Sequence, residues 1–347
     1  MARPRGYGEH MSPTLRDVAR VAGVSFKTVS NVINDYPHVS ESTRARVLAA
    51  IEQLDYRPNR TARTLRSGRT GAIGLAVPEL SLAYFAELAD EVITAADERD
   101  IVVLIEQTGG DRRRELEVLD GSRRQLTDGL LFSPLALGSE DASRLEVGYP
   151  LVLLGERIFD GPVDHVTMEN VEGARAATEH LLALGRRRIA VIGAHTGEVI
   201  GSAGLRVAGY RAALEAHGIP FHDDLVVDAG PWHRVNGAEA MRMLLARGVQ
   251  FDAVFALNDE LGLGALRVLR EHGIGVPSDV AIIGFDDVDE GRYSLPSLST
   301  VDPGRREIAR LAVEVLLDRI AGVETGGPRE LRSSFRIVAR ESTAASA

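Results

Sequence analysis

The chain has 347 residues, no cysteine and a formal net charge of −10 at pH 7. Its length exceeds what one ordinary hydrophobic core needs and indicates two or three domains. The lack of cysteine excludes a disulfide framework, a thiolate zinc site and a cysteine nucleophile. Residues 1–12 lack the apolar core of a secretory signal, and no apolar run reaches the roughly 20 residues of a membrane-spanning helix. We therefore expect a cytoplasmic protein with no membrane partner.

Charge is distributed unevenly along the chain. Residues 1–70 contain twelve Lys or Arg and six Asp or Glu, a net charge of +6, which leaves −16 for the rest of a chain whose total is −10. A basic segment attached to an acidic body is typical of a protein that binds a polyanion. An ordinary solvated surface would give the same count, so the distribution alone does not decide the function.

Start and stop signals in the basic segment predict three short helices. The signals are Thr14 as the cap of Leu15–Ala22, Gly23 as its end, Ser25 as the cap of a helix through about Asn34, and Ser40 before a longer third helix. Apolar residues at helical spacing predict the core: Val18, Val21, Val29, Val32 and Ile33, then Val47, Leu48, Ile51 and Leu54. Two helices joined by a tight glycine turn predict a helix-turn-helix.

The second helix of this motif presents polar and aromatic residues on its outer face. In a helix-turn-helix such residues meet base edges in the major groove. Lys27 suits guanine, Asn31 suits adenine, and Phe26 suits a thymine methyl group. Ser25 and Thr28 are better placed to contact phosphates. A plain three-helix bundle with no DNA role is the alternative.

A second basic segment follows, between a predicted cap at Asn59 and a glycine at Gly68. Its eight or so residues are fewer than the roughly 12–15 that an isolated helix needs in water, so we expect DNA to order it. Leu65, its one large apolar residue, suits a wedge between minor-groove base steps. The alternative is a linker whose Leu65 packs on the neighbouring domain. The predicted DNA contacts here are Asn59, Ala62, Arg63, Leu65 and Arg66.

These motifs resemble the head and hinge of the lactose-repressor (LacI/GalR) family. The matching stretches are Thr14-Leu-Arg-Asp-Val-Ala-Arg-Val-Ala-Gly-Val-Ser, Thr28-Val-Ser-Asn-Val-Ile-Asn, Tyr56-Arg-Pro-Asn and Leu65-Arg-Ser-Gly-Arg-Thr. The resemblance implies a homodimer on pseudo-palindromic double-stranded operator DNA, with two recognition helices in major grooves and two hinge helices paired between them. Asn31 departs from the basic residue often found at its position, which affects the operator sequence and not the binding mode.

Beyond Gly71, apolar runs alternate with helical patterns. The predicted strands are Ala72–Val77, Ile101–Ile105, Gly129–Phe132, Leu151–Leu154, Ile189–Ile192, Ala253–Leu257 and Val280–Phe285. The predicted helices include Gly173–Leu184, Arg206–His217, Gly237–Ala246 and Glu260–His272. This alternation predicts an α/β fold with parallel sheets covered by helices. The resemblance continues to the end of the chain and implies a two-lobed core like that of periplasmic sugar-binding proteins, behind an all-α head. The predicted domains are a head (12–58), a hinge (59–70) and an effector-binding and dimerisation core (71–347).

Ligands of open parallel sheets bind at the carboxyl ends of the strands. Asn258 and Asp286 follow two predicted strands, and Arg206 opens a predicted helix after a third. By resemblance these three match ligand-contacting positions of the family, with Ser202 close by and with Trp232, Tyr84 and Phe85 as walls. Each has a structural alternative: Asp286 as a turn cap, Arg206 in a structural ion pair, and the Tyr84–Phe85 pair in the core.

An amide, a carboxylate and a guanidinium suit a polyhydroxyl ligand, so we expect a sugar. Gly155-Glu156-Arg157 stands where some sugar-binding relatives carry an aspartate, so a nucleobase or another effector remains the alternative. The sequence lacks the motifs that would indicate an enzyme. It has no dinucleotide fingerprint, no Gly-Lys-Ser/Thr phosphate loop, no nucleophile elbow around Ser202 and no His-x-x-x-His pair. A binding protein with no DNA role would lack the basic head. We therefore expect a sugar-responsive regulator, with no cofactor or metal and no catalytic residues.

Overall fold

The computed structural model describes residues 13–33, 36–56, 69–121, 124–323 and 326–344. The chain divides into two compact units, Met1–Arg69 and Thr70–Ala347. Within the described residues, no helix is both long and apolar enough to cross a membrane.

The first unit contains the three predicted helices, α1 (Leu15–Ala22), α2 (Phe26–Ile33) and α3 (Glu41–Gln53). Thr14 and Asp17 form a reciprocal capping box at the start of α1, and Gly23 ends the helix in the left-handed conformation. This confirms the predicted signals, because each cap satisfies backbone groups that a helix end leaves unpaired. Ser25 accepts from the Thr28 amide at 3.1 Å, and Ser40 caps α3.

The core of the first unit differs at two positions from the prediction. Val18, Val29, Val32 and Val47 are buried, as expected. Val21 is 43% exposed and Leu48 is 54% exposed, so both were assigned wrongly to the core. The buried face is instead completed by small residues and one aromatic ring, namely Ala19, Ala22, Ala50 and Tyr56.

The second unit contains two parallel sheets, as predicted, and each sheet forms the centre of one lobe. The first lobe has a six-stranded sheet in the order β11-β5-β4-β3-β1-β2. Its strands are β1 (Ala72–Val77), β2 (Val102–Gln107), β3 (Leu130–Phe132), β4 (Leu151–Leu154), β5 (Asp164–Met168) and β11 (Glu330–Ser333). Strand β4 is buried along its whole length, as expected for a central parallel strand.

The second lobe has a four-stranded parallel sheet in the order β7-β6-β8-β9. Its strands are β6 (Ile189–Ala194), β7 (Val226–Asp228), β8 (Ala253–Ala256) and β9 (Ala281–Ile283). A two-stranded antiparallel ribbon of β10 (Thr300–Asp302) and β12 (Arg336–Val338) completes the unit. Of the twelve strands in the described part of the chain, the sequence patterns did not predict five, namely β5, β7, β10, β11 and β12.

Eight α-helices are described in the second unit. They are α4 (Ala83–Asp97), α5 (Arg112–Asp120), α6 (Asn170–Ala183), α7 (Ser202–Ala216), α8 (Arg234–Ala246), α9 (Asp259–Glu271), α10 (Asp289–Tyr293) and α11 (Arg305–Ala321). Helices α4 and α11 pack together against the first sheet, and the pairs α6 with α7 and α8 with α9 belong to the second lobe. The prediction that Arg206 opens a helix was wrong, because α7 begins one turn earlier, at Ser202.

Candidate recognition helix and effector cleft

Helix α2 presents a polar face opposite its buried valines. Val29 and Val32 pack in the core of the first unit, whereas Lys27 is exposed and Asn31 is half-buried. Lys27 and Asn31 lie four residues apart, and that spacing puts both side chains on the face away from Val29. Phe26 is 42% exposed at the first position of the helix. Such a face can offer an ammonium group, an amide and an aromatic edge to one ligand surface.

The start of α2 is fixed by side chains of its own first turn. The hydroxyls of Ser25 and Thr28 lie 2.8 Å apart, next to the amide contact described above. The predicted hinge contacts Asn59, Ala62, Arg63, Leu65 and Arg66 lie outside the described residues.

The second unit contains a cleft between the carboxyl ends of its two sheets. Its cavity measures about 260 Å³, near the lower end of the roughly 300–1,000 Å³ usual for small-molecule sites. The cavity lining includes all seven residues that the sequence suggested for an effector: Tyr84, Phe85, Ser202, Arg206, Trp232, Asn258 and Asp286.

Arg206 lies on the floor of the cleft and is almost fully buried. Its Nε donates to Asn170 Oδ1 at 2.8 Å, and its Nη1 donates to the Leu257 carbonyl. Its Nη2 donates to Asp286 Oδ1 at 3.4 Å, and the guanidinium carbon sits 3.7 Å from the centre of the Phe285 ring. Arg206 therefore forms the structural ion pair that the sequence suggested as its alternative role, and it lines the cleft as well. The network fixes the guanidinium plane before any ligand arrives.

Asp286 is buried beside Arg206 at the same end of the cleft. Burial raises the pKa of its carboxyl to about 7, although the positive charges of Arg206 and Arg305 act in the opposite direction. The backbone of Asp286 is held on both sides, since its amide donates to the Val301 carbonyl at 2.9 Å and its carbonyl accepts from Arg305 Nη1 at 2.6 Å. Near neutral pH this group can therefore either accept or donate a hydrogen bond.

Asn258 and Trp232 are held by one another and by the second sheet. Asn258 caps α9 by accepting from the Leu261 amide at 2.9 Å, and its Nδ2 donates to the Trp232 carbonyl at 3.1 Å. The indole Nε1 donates to the Gly193 carbonyl at 2.9 Å. A Cβ atom at Gly193 would lie 2.4 Å from Leu261 and 3.3 Å from the indole nitrogen, and the backbone there has a positive φ, so the position favours glycine. Trp232 therefore lines the cavity with its N–H group already engaged by the protein.

The opposite wall of the cleft comes from the start of α4. Tyr84 and Phe85 are half-buried, and their rings meet edge to face with centroids 5.3 Å apart. Burial raises the pKa of the Tyr84 phenol, and the charges of Glu156 and Asp286 raise it further. Ile308 of α11 lines the same cavity. The first lobe thus contributes an aromatic and apolar wall opposite the polar floor.

The cleft lining also includes polar residues that the sequence did not suggest for the site, among them Glu156, His195 and Glu198. Glu156, after β4, is buried and accepts from the Ser202 hydroxyl at 2.7 Å. His195 and Glu198 follow β6, with His195 Nδ1 3.0 Å from Glu198 Oε2. The hydrogen bond that His195 donates to the Glu198 carboxylate raises the pKa of His195. Their positions just past the carboxyl ends of parallel strands are the signal that could have identified them.

Comparison with known proteins matches each of the two units to a family model. Residues 14–59 match the model described as bacterial regulatory proteins, lacI family, and residues 178–343 match the periplasmic binding protein-like domain. The HTH-type transcriptional regulator CelR of Thermobifida fusca is 38% identical over 340 residues, covering 95% of this chain and 98% of that protein. The chain belongs to the LacI family.

Two solved structures of the family resemble this chain over nearly its whole length. A CelR–cellobiose complex is 34% identical, with a TM-score of 0.71, and covers 95% of this chain and 99% of its own. The lac repressor dimer bound to operator and an anti-inducer is 29% identical, with a TM-score of 0.80, and covers 96% of this chain and 100% of its own. This LacI-family chain is therefore a DNA-binding transcription regulator and not an enzyme, as the sequence motifs predicted.

Proposed function

We propose that this LacI-family regulator is a cytoplasmic repressor that binds a pseudo-palindromic operator as a homodimer and changes its DNA affinity when a sugar binds in the cleft. The chemistry of the residues that line the cleft is the main support for a sugar as the ligand. It combines a guanidinium, an amide and carboxylates with the ring faces of Trp232, Tyr84 and Phe85. Sugar hydroxyls both donate and accept hydrogen bonds, and the C–H faces of a sugar ring pack on aromatic rings.

The relatives support the same chemistry and assembly. The CelR structure is a complex with cellobiose, and the lac repressor structure is a dimer on operator DNA. The small cavity of this chain favours a mono- or disaccharide.

For DNA we propose direct base contacts from Phe26, Lys27 and Asn31, and phosphate contacts from Ser25 and Thr28. We further propose that residues 59–70 form the hinge between a head (12–58) and a core (71–347), with Leu65 as the minor-groove wedge beside Asn59, Ala62, Arg63 and Arg66. Sugar binding would shift the equilibrium between open and closed lobes, and the hinge would transmit that shift to the head. A coupling free energy of about 1–3 kcal/mol would change operator affinity about 5–150-fold.

A thermal-shift screen tests the sugar proposal. The purified protein is heated with D-ribose, D-galactose, D-glucose, cellobiose, adenine and guanine, each well above its expected Kd. A ligand at about 100 times its Kd stabilises the folded state by roughly 2.7 kcal/mol. We expect a rise in Tm with at least one sugar, and loss of that rise in Asp286→Ala. A rise with a nucleobase alone would contradict the sugar and leave the regulator in place.

A further inference from the structure

The positive groups that line the effector cleft are each paired with a carboxylate of the protein. Arg206 pairs with Asp286 at 3.4 Å. It also donates hydrogen bonds to the Asn170 side chain and to the Leu257 carbonyl. Arg157 lies 3.7 Å from Glu198, which also accepts from His195. Each of these arginines therefore already has a carboxyl group of the protein beside it, and a negatively charged ligand would compete with that group.

Glu156 is different from the other carboxylates of the cleft. Glu198 and Asp286 are paired as above, Glu260 lies 2.6 Å from Arg234, and Glu79 lies 3.2 Å from the imidazole of His233, which is a cation only when protonated. Within the part of the chain that the structure describes, Glu156 has hydroxyl partners and no cationic one: Ser202 at 2.7 Å and Thr167 at 3.4 Å.

This arrangement leaves acceptor capacity at Glu156. A carboxylate has about four lone-pair positions, and two hydroxyls occupy about half of them. A buried carboxylate without a cation is costly unless further donors reach it. Glu156 lines the cavity, so the remaining donors can come from a ligand. A sugar hydroxyl supplies such a donor, whereas a phosphate group brings like charge to a poorly solvated site, where Coulomb repulsion is strong.

We propose that Glu156 makes the cleft selective for uncharged sugars and excludes their phosphate esters. This inference rests on the proposed sugar response and adds the charge of the effector to it. The selectivity works by repulsion as well as attraction. Glu156 accepts a hydrogen bond from a hydroxyl of the neutral sugar and repels the phosphate group of the ester.

Trp232 provides the assay, because it is the one tryptophan of the chain and lines the cavity. Its fluorescence is titrated with D-ribose, D-galactose, D-glucose and cellobiose, and with ribose 5-phosphate, galactose 6-phosphate, glucose 6-phosphate and cellobiose 6-phosphate. We expect the best neutral sugar to bind at least 100-fold more tightly than its phosphate ester. In Glu156→Gln this ratio falls at least tenfold.

Two further variants separate the charge of Glu156 from its structural contacts. Glu156→Asp keeps the charge, so it retains the preference against the phosphate ester even where its shorter side chain weakens sugar binding. Glu314→Gln removes one exposed carboxylate of α11 that pairs with Arg310, and it leaves the ratio unchanged. The Tm of each variant, measured without ligand, verifies that it is folded.

Each outcome bears on one of the two proposals. An unchanged ratio in Glu156→Gln, or equal binding of both sugar forms to the wild type, overturns the role of Glu156 and leaves the sugar response standing. A similar loss of the ratio in Glu314→Gln overturns it as well, since the effect would then come from net charge. If none of the eight compounds binds, the sugar response itself fails.

Discussion

The polar face of α2, which we propose contacts DNA, and the floor of the cleft, which we propose binds the effector, use polar residues in opposite ways. Lys27 and Phe26 are exposed on the surface of α2. Arg206 and Asp286 are buried and held by several hydrogen bonds and ring contacts. A DNA-reading side chain can adapt to a base edge, whereas the cleft is organised before the ligand arrives and loses less conformational entropy on binding.

This comparison predicts how stability and function separate in variants. A substitution in the cleft should lower both the stability of the second unit and its ligand affinity, because the same contacts serve both. A substitution on the exposed face of α2 should lower DNA affinity and leave stability nearly unchanged.

The largest effect is expected for Arg206→Met. Removing the guanidinium leaves Asp286, Asn170 Oδ1 and the Leu257 carbonyl without a main partner in a buried site. Removing one member of a buried ion pair costs roughly 3–5 kcal/mol. Denaturant unfolding followed by Trp232 fluorescence reports on the second unit specifically.

The exposed Arg267→Met provides the control for that experiment, since its partner Glu271 is shared with Arg242 at the surface. We expect a change within about 0.5 kcal/mol for this variant. A loss below about 1 kcal/mol in Arg206→Met would show that the floor of the cleft is not organised by Arg206.

Lys27→Ala should produce the opposite pattern. Loss of a base contact costs about 1–3 kcal/mol in specific binding. The free energy of unfolding of the head should change by less than about 0.5 kcal/mol, because Lys27 is exposed. Fluorescence anisotropy with selected and scrambled DNA separates specific from non-specific affinity. Equal losses on both DNAs would place Lys27 on phosphates and not on a base.

The raised pKa of Asp286 predicts a pH dependence of stability. Its folded-state pKa of about 7 lies above the unfolded value near 3.9, so the folded protein holds a proton that the unfolded chain releases between these values. The stabilisation is complete below the unfolded pKa and is lost as pH rises through about 7, with a slope of at most about 1.4 kcal/mol per pH unit.

The comparison is made against Asp286→Asn. The difference in unfolding free energy, wild type minus variant, should fall between pH 5 and pH 7.5 and level off above. This difference cancels groups such as His195 that titrate in both proteins. A difference that is flat or rises with pH would contradict the assignment.

The smallest expected effect concerns the capping box of α1. Thr14→Ala removes the acceptor of the Asp17 amide and the donor to the Asp17 carboxylate. Loss of an N-cap costs about 1 kcal/mol. Hydrogen exchange of the backbone amides of α1 measures the loss. A neutral outcome would indicate that tertiary packing, and not the local cap, sets the start of α1.

Local signals predicted the first unit well because its helices are short and carry their own caps. Thr14, Gly23 and Ser40 lie where the structure needs them. The misassigned Val21 and Leu48 share a cause, since the spacing of apolar residues does not show that alanines and Tyr56 already fill the core. Tertiary packing decides between two apolar faces of one helix.

In the second unit the predictions failed where distant residues create the element. Strand β5 begins at Asp164, whose buried carboxylate pairs with Arg319 at 2.7 Å and Arg329 at 3.3 Å. These partners are more than 150 residues away in the sequence. Without them, a charged residue in a short segment is typical of a loop.

The residues of the candidate cleft could be predicted from the sequence where they follow a strand, and not elsewhere. Asn258 and Asp286 follow apolar runs, so their positions could be inferred from topology alone. Glu156 also follows a predicted strand, but its role depends on the lack of a cationic partner, and that is a property of the folded protein.

The central claim is that a ligand in the cleft changes the DNA affinity of the head. Operator DNA is first selected by the full-length protein from a random pool, and its Kd is then measured by anisotropy with and without the sugar that raises Tm. The proposal predicts a 5–150-fold change in the wild type and none in Arg206→Met at the same sugar concentration. An operator Kd that stays constant in the wild type at saturating sugar would contradict the claim.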